Sequence, residues 1–158
     1  MIKMKNIRNP EYATSKERQN SLHDIIIDGE DAEAVIKYAS RFLKDAEDEL
    51  FEALSKPHCS GITFSGGAPL HPFNREEVFR LIKKVRQELP QKTIWLYTGF
   101  LWEEIKDIPE IADIDIVCEG KFVQDLADTK IHWVGSSNQR VMDVKKSLET
   151  NSVVLHEA

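Results

Sequence analysis

The stretch that decides how this chain is read runs from residue 61 to residue 72, GITFSGGAPLHP. Ile62, Thr63 and Phe64 are the β-branched and aromatic residues of a short buried strand. They deliver a Ser65-Gly66-Gly67 turn, and Asn74 with Glu76 and Glu77 then reads as the capped, dipole-matched start of a helix. The two glycines suit a tight strand-to-helix turn with positive φ. Second to that reading, they suit a pocket for a small molecule or anion at the strand's carboxyl end. Ala68 stands where a charged hook would serve such a ligand.

The same alternation extends in both directions. Residues 23–29, HDIIIDG, read as a strand closed by an Asp-Gly turn, and residues 30–55 carry a helical apolar stripe through Val35, Ala39, Leu43, Ala46, Leu50 and Leu54. After GITFS, a helix with Val78, Ile82, Val85 and Leu89 on one side ends at Pro90. Residues 93–99 (TIWLYTG) and 114–118 (IDIVC) are two more strands, with a short helix over 101–106. The tail holds HWVGSSNQR, a short helix in DVKKSL and an apolar run at 153–155. Strands of near-continuous apolar character alternating with helices predict an α/β fold with a mainly parallel sheet flanked by helices. Ligands of such sheets sit outside the carboxyl ends of the strands, here Gly29, then Ser65, Gly66 and Gly67, then Thr98 and Gly99, then Glu119-Gly120.

Composition narrows the function classes. The chain has 158 residues, 41% hydrophobic and 30% charged, with a formal charge of −6. That is enough for one domain, read as residues 22–158 behind a flexible arm at 1–21. The acidic balance disfavours direct nucleic-acid binding, and no apolar run is long enough to cross a bilayer. Cys59 and Cys118, far apart and without secretory context, read as reduced thiols of a cytoplasmic protein. No zinc spacing joins His58, Cys59, His71, Cys118 or His132, so no metal site is expected. Serine-hydrolase and phosphate-loop motifs are missing as well.

Four stretches, GITFSGGAPLHPFNREEV, IWLYTGF, EGKF and GSSNQRVMDVKKSL, lie in one order over about two-thirds of the chain. In them the chain resembles the activating protein family of the anaerobic ribonucleoside-triphosphate reductase, within the radical S-adenosylmethionine enzymes. The resemblance implies a truncated, partial-barrel-like radical-SAM fold and a glycyl-radical reductase as partner. It also implies an iron–sulfur cluster held by a Cys-x3-Cys-x2-Cys run, whose open iron chelates S-adenosylmethionine. This sequence departs from that pattern. It has no cysteine between His23 and Ser55, where a long helix region at about 30–56 replaces the cluster loop. Ala68 replaces the acid that would meet the methionine ammonium, Val134 stands where arginine is usual, and Glu119 where aspartate is usual.

The departures lead to an expectation of a non-catalytic, radical-SAM-like pseudoenzyme without an iron–sulfur cluster. Such a protein acts by binding, as regulator or inhibitor of the glycyl-radical reductase or, if phage-derived, of an unrelated host defence protein. Two other readings stand beside it: an activase with an unconventional cluster, and a module holding S-adenosylmethionine or a nucleotide in a vestigial cleft at Ser65, Gly66, Gly67, Thr98 and Gly99. A protein partner is expected in either binding or activase form, and a homodimer stays open. The partner-binding candidates are Trp102, just past a strand end, the polar trio Asn138, Gln139 and Arg140, and the acidic helix residues Asp45, Glu47 and Asp48.

Overall fold

A computed structural model describes residues 32–66 and 68–157, with side chains from residue 44 onward. The expected arm at 1–21, the strand at 23–29 and Gly67 lie outside the described residues. The chain divides into two units, Met1–Glu52 and Ala53–Ala158. The first contributes most of one long helix, α1 (Ala32–Ser55), along which Asp45 and Asp48 are exposed and Glu47 is half-buried.

The second unit is an α/β layer. Its elements run β1 (Gly61–Phe64), α2 (Arg75–Glu88), β2 (Thr93–Tyr97), α3 (Trp102–Ile105), a 3-10 turn (Pro109–Asp113), β3 (Ile116–Glu119), a second 3-10 turn (Gln124–Leu126), β4 (Arg140–Asp143) and α4 (Val144–Thr150). Strand order is β1-β2-β3-β4. The first two pairings are parallel and the third antiparallel. The sheet is therefore mainly parallel and flanked by helices, in agreement with the sequence.

Period-two alternation sorts the side chains. Ile94, Leu96, Val117 and Met142 share one face and have no exposed surface, and α2 adds Ile82 and Val85 to this core. The opposite face carries Thr63, Trp95, Tyr97, Ile116, Cys118 and Val141. Continuous apolar strands arise because both faces are covered in part.

Polar groups fasten the layer at its amino edge. The Arg86 guanidinium donates to the carbonyls of Asp113 (2.6 Å) and Lys92 (3.0 Å) and to the Asp115 carboxylate (2.6 Å). Asp115 in turn accepts the Ile94 N–H at 2.7 Å. The buried Lys92 ammonium donates to the Lys56 carbonyl at 3.0 Å and to that of Cys59, closing the turn that ends α1.

Three local expectations change. Asn74 makes no side-chain cap to α2; its Nδ2 donates instead to the Ala68 carbonyl at 3.3 Å, because its backbone is already helical. β3 begins two residues later than the apolar run starts. β4 was not expected, and it forms because Arg140–Asp143 pairs with the whole of β3. At its end Asp143 caps α4, accepting the Lys146 N–H at 3.0 Å, and that contact holds its carboxyl below the usual range.

Candidate functional site at the carboxyl edge

Three successive loops leave the carboxyl ends of the parallel strands: residues 65–74 after β1, 98–101 after β2 and 120–139 after β3. Gly66 has φ +70, the conformation the turn demanded. Ala68 has φ +51, a left-handed conformation that a non-glycine residue adopts at a cost. Its carbonyl accepts the His71 N–H at 2.9 Å, so the strained residue is locked into the turn.

Ser65 and Gly66 are exposed at this edge, and so is Gly99. Thr98 is buried; its N–H donates to the Cys118 carbonyl (2.9 Å) and its Oγ1 accepts from the Phe100 N–H (3.2 Å). The structure thus brings the β1 and β2 turns to one edge but spends the Thr98 hydroxyl on holding its own loop. A cavity of about 350 Å³ lies elsewhere, on the sheet face lined by Gly61, Thr63, Thr93, Trp95, Tyr97 and Trp133.

The centre of the edge is a charge that the sequence places at the carboxyl end of a strand without revealing its partners. Glu119 has no exposed surface. One carboxylate oxygen accepts the Trp102 N–H at 2.6 Å, at the start of α3. The other accepts from Arg140 Nε, across the β3–β4 pairing. Arg140 reaches on to Glu103 at 3.1 Å. Contact with Glu119 raises the guanidinium pKa, and Glu103 is lowered by a backbone N–H at the start of α3 and by Arg140. A buried carboxylate is tolerated only when paired and hydrogen-bonded, and this one is both. The available signal was a lone acid ending an otherwise apolar strand, with a lone arginine opening a short alternating run.

The other candidates fall into place around it. Asn138 Nδ2 donates to the Lys121 carbonyl and Gln139 Nε2 to that of Gly120, each at 2.8 Å. Gln139 Oε1 accepts from the N–H groups of Gly135 and Ser136 at 3.0 and 3.2 Å. The polar segment is thereby turned inward, onto the 120–139 loop. Trp102, expected to be exposed for docking, is a core residue at 4% exposure, because α3 folds back onto the layer. Exposed apolar side chains of the edge are instead Phe73, Phe100, Leu101 and Phe122.

Comparison with known proteins follows this geometry. Residues 30–142 match the model of the family described as 4Fe-4S single cluster domain. The chain is similar to the anaerobic ribonucleoside-triphosphate reductase-activating protein of Enterobacteria phage T4, 40% identical over 100 residues, 63% of this chain and 64% of that protein. It is similar to the protein of the same name from Escherichia coli K12, 40% identical over 104 residues, 63% of this chain and 68% of the relative. The Vibrio cholerae protein of that name is 37% identical over 103 residues, covering 63% and 66%. The chain therefore spans about two-thirds of the length of the curated relatives it matches. No solved structure matches it.

These matches correct two expectations. The reading as a non-catalytic pseudoenzyme, regulator or inhibitor is overturned, because the relatives are named as activating proteins. The expectation of no iron–sulfur cofactor is overturned by the match to a 4Fe-4S domain across residues 30–142. The family match extends over residues 30–142 although no cysteine lies between His23 and Ser55.

The thiols of this chain do not themselves fit such a cluster. There are two cysteines. Cys59 precedes β1 at the amino edge, with its Sγ donating to the Gly61 carbonyl at 3.5 Å. Cys118 lies inside β3, 1% exposed, and burial pushes its thiol pKa up, away from the thiolate a metal requires. With β2 between their strands, Gly61 and Cys118 are about 16 Å apart at ordinary strand spacing and rise, too far for one small cluster. Among the described residues no three His, Cys, Asp or Glu side chains come together as a metal site.

Proposed function

Because the chain belongs to the 4Fe-4S single cluster domain family, we propose that it is the activating component of an anaerobic ribonucleoside-triphosphate reductase. The observation that carries this reading is the 40% identity over 104 residues with the Escherichia coli activating protein. Its partner is then the reductase, the protein that the relatives' name says they activate. Reduced thiols at Cys59 and Cys118 suit the cytoplasm as its setting, and no helix among the described residues is long and apolar enough to cross a membrane.

The chain's own contribution is the frame of the carboxyl edge. Glu119 ties the start of α3 to β4 through Trp102 and Arg140, fixing the loops after β2 and β3 relative to each other. Ser65 and Gly66 present the β1 turn beside them. A rigid frame of this kind positions a bound substrate segment without supplying chemistry itself.

Anaerobic complementation tests the proposal. A bacterium lacking its own activating protein, but retaining the reductase, is supplied with this chain and grown without oxygen. Restored growth and a glycyl-radical signal in the reductase by electron paramagnetic resonance are expected. Soluble, folded chain beside a radical-free reductase would overturn it.

A further inference from the structure

The cavity of about 350 Å³ lies on the sheet face opposite the Ile82 and Val85 core, and no charged side chain among the described residues lines it. We infer that it is a binding site for a neutral, planar nitrogen heterocycle of nucleobase size, held by stacking and by hydrogen bonds to its edge. The site is separate from the carboxyl-edge loops and from the activating reading, and it stands on its own observations.

The walls are aromatic and held in place. Trp95 and Tyr97 of β2 are half-buried, and Trp133 of the 120–139 loop is 39% exposed. The two indoles stand 5.6 Å apart and tilted by 54°, a wedge and not a closed stack. Trp133 keeps its place against a backbone cost, since its φ of +68 is a left-handed conformation that a bulky residue rarely adopts. The Tyr97 hydroxyl donates to its carbonyl at 2.8 Å, and His156 buttresses both indoles, 5.3 Å from Trp95 and 5.2 Å from Trp133. Backbone strain that the surroundings enforce is characteristic of ligand clamps. The volume falls in the lower part of the range for small-molecule pockets, about 300–1,000 Å³.

The polar groups select the ligand. Among the described residues neither the Trp95 nor the Trp133 indole N–H has an acceptor, and the hydroxyls of Ser60 and Thr63 make no hydrogen bond. A nitrogen heterocycle offers a π-face to the rings and acceptors and donors to those groups. A quaternary ammonium would use the rings and leave the polar groups unmatched. With no cation in the lining a phosphate gains nothing there, so the ring is the part recognised.

Isothermal titration calorimetry of the full chain with adenosine, inosine and cytidine tests the site, and tetramethylammonium serves as the cationic alternative. At least one nucleoside should bind, and more tightly than tetramethylammonium. Trp133→Leu removes one wall, and Thr63→Phe fills the cavity from an exposed strand position. Each should weaken nucleoside binding about tenfold, with unchanged circular dichroism. Weakening in either folded variant upholds the site. It is overturned if no nucleoside binds up to its solubility limit, or if tetramethylammonium binds as tightly. Equal binding by the native chain and both folded variants places the nucleoside elsewhere and overturns it too. No reductase is in the mixture, so failure here leaves the reductase reading to its own test.

Discussion

Glu119 and Arg140 face each other across the β3–β4 pairing, and the carboxylate has no exposed surface while the guanidinium side chain keeps a third of its own. Breaking a buried pair by removing one partner is far costlier than the pair is worth, since it strands a charge. Arg140→Ala is therefore expected to cost about 3–5 kcal/mol, read as a lowered urea midpoint. Glu119→Ala should cost less, because Arg140 stays partly exposed and keeps Glu103, and the double variant should cost less than the two together.

Tyr97 donates its hydroxyl to the Trp133 carbonyl at 2.8 Å, and burial with the neighbouring Cys118 pushes its pKa up to about 12. A folded pKa above the unfolded value gives stability that is whole below about pH 10 and is lost as pH rises towards 12. Denaturation midpoints across that window should fall for the wild type. In Tyr97→Phe the fall should be shallower, from a baseline lower by about 1 kcal/mol for the lost hydrogen bond.

Thiol accessibility separates the two cysteines. Cys59 is half-buried and Cys118 is 1% exposed with a raised pKa. Titration of the native chain with a disulfide reagent near pH 8 should modify one thiol promptly and the second only on unfolding. Cys59→Ser should remove the prompt phase.

At position 68 the backbone sits in the left-handed region with a methyl group attached. Ala68→Gly should relieve that strain and raise stability by about 1 kcal/mol, measured by urea denaturation.

Much of the layer was legible. Ile94 to Tyr97 and Ile116 to Cys118 announce themselves as strands because they are apolar without interruption, and Ile62 to Phe64 because its residues are β-branched and aromatic. The long helix was legible from its stripe, and the glycine turn from Gly66. β4 was not, because RVMD is four residues long and its pairing with β3 is a long-range fact. Trp102 misled for a related reason: proximity to a strand end says nothing of which way a short helix folds. The Glu119–Arg140 pair joins residues 21 apart in sequence and is visible only once β4 is in place. The cofactor has no local motif in this sequence, and the 4Fe-4S family match across residues 30–142 is what points to it.

The 120–139 loop is drawn shut at its neck, where Gln139 bonds Gly120 and Asn138 bonds Lys121. Once the ends of a loop are held, lengthening it costs only about 0.6 kcal/mol per doubling. Extra residues inserted near Thr129 should thus leave the strands undisturbed, making this segment the place where length can vary between relatives while the sheet beneath stays constant.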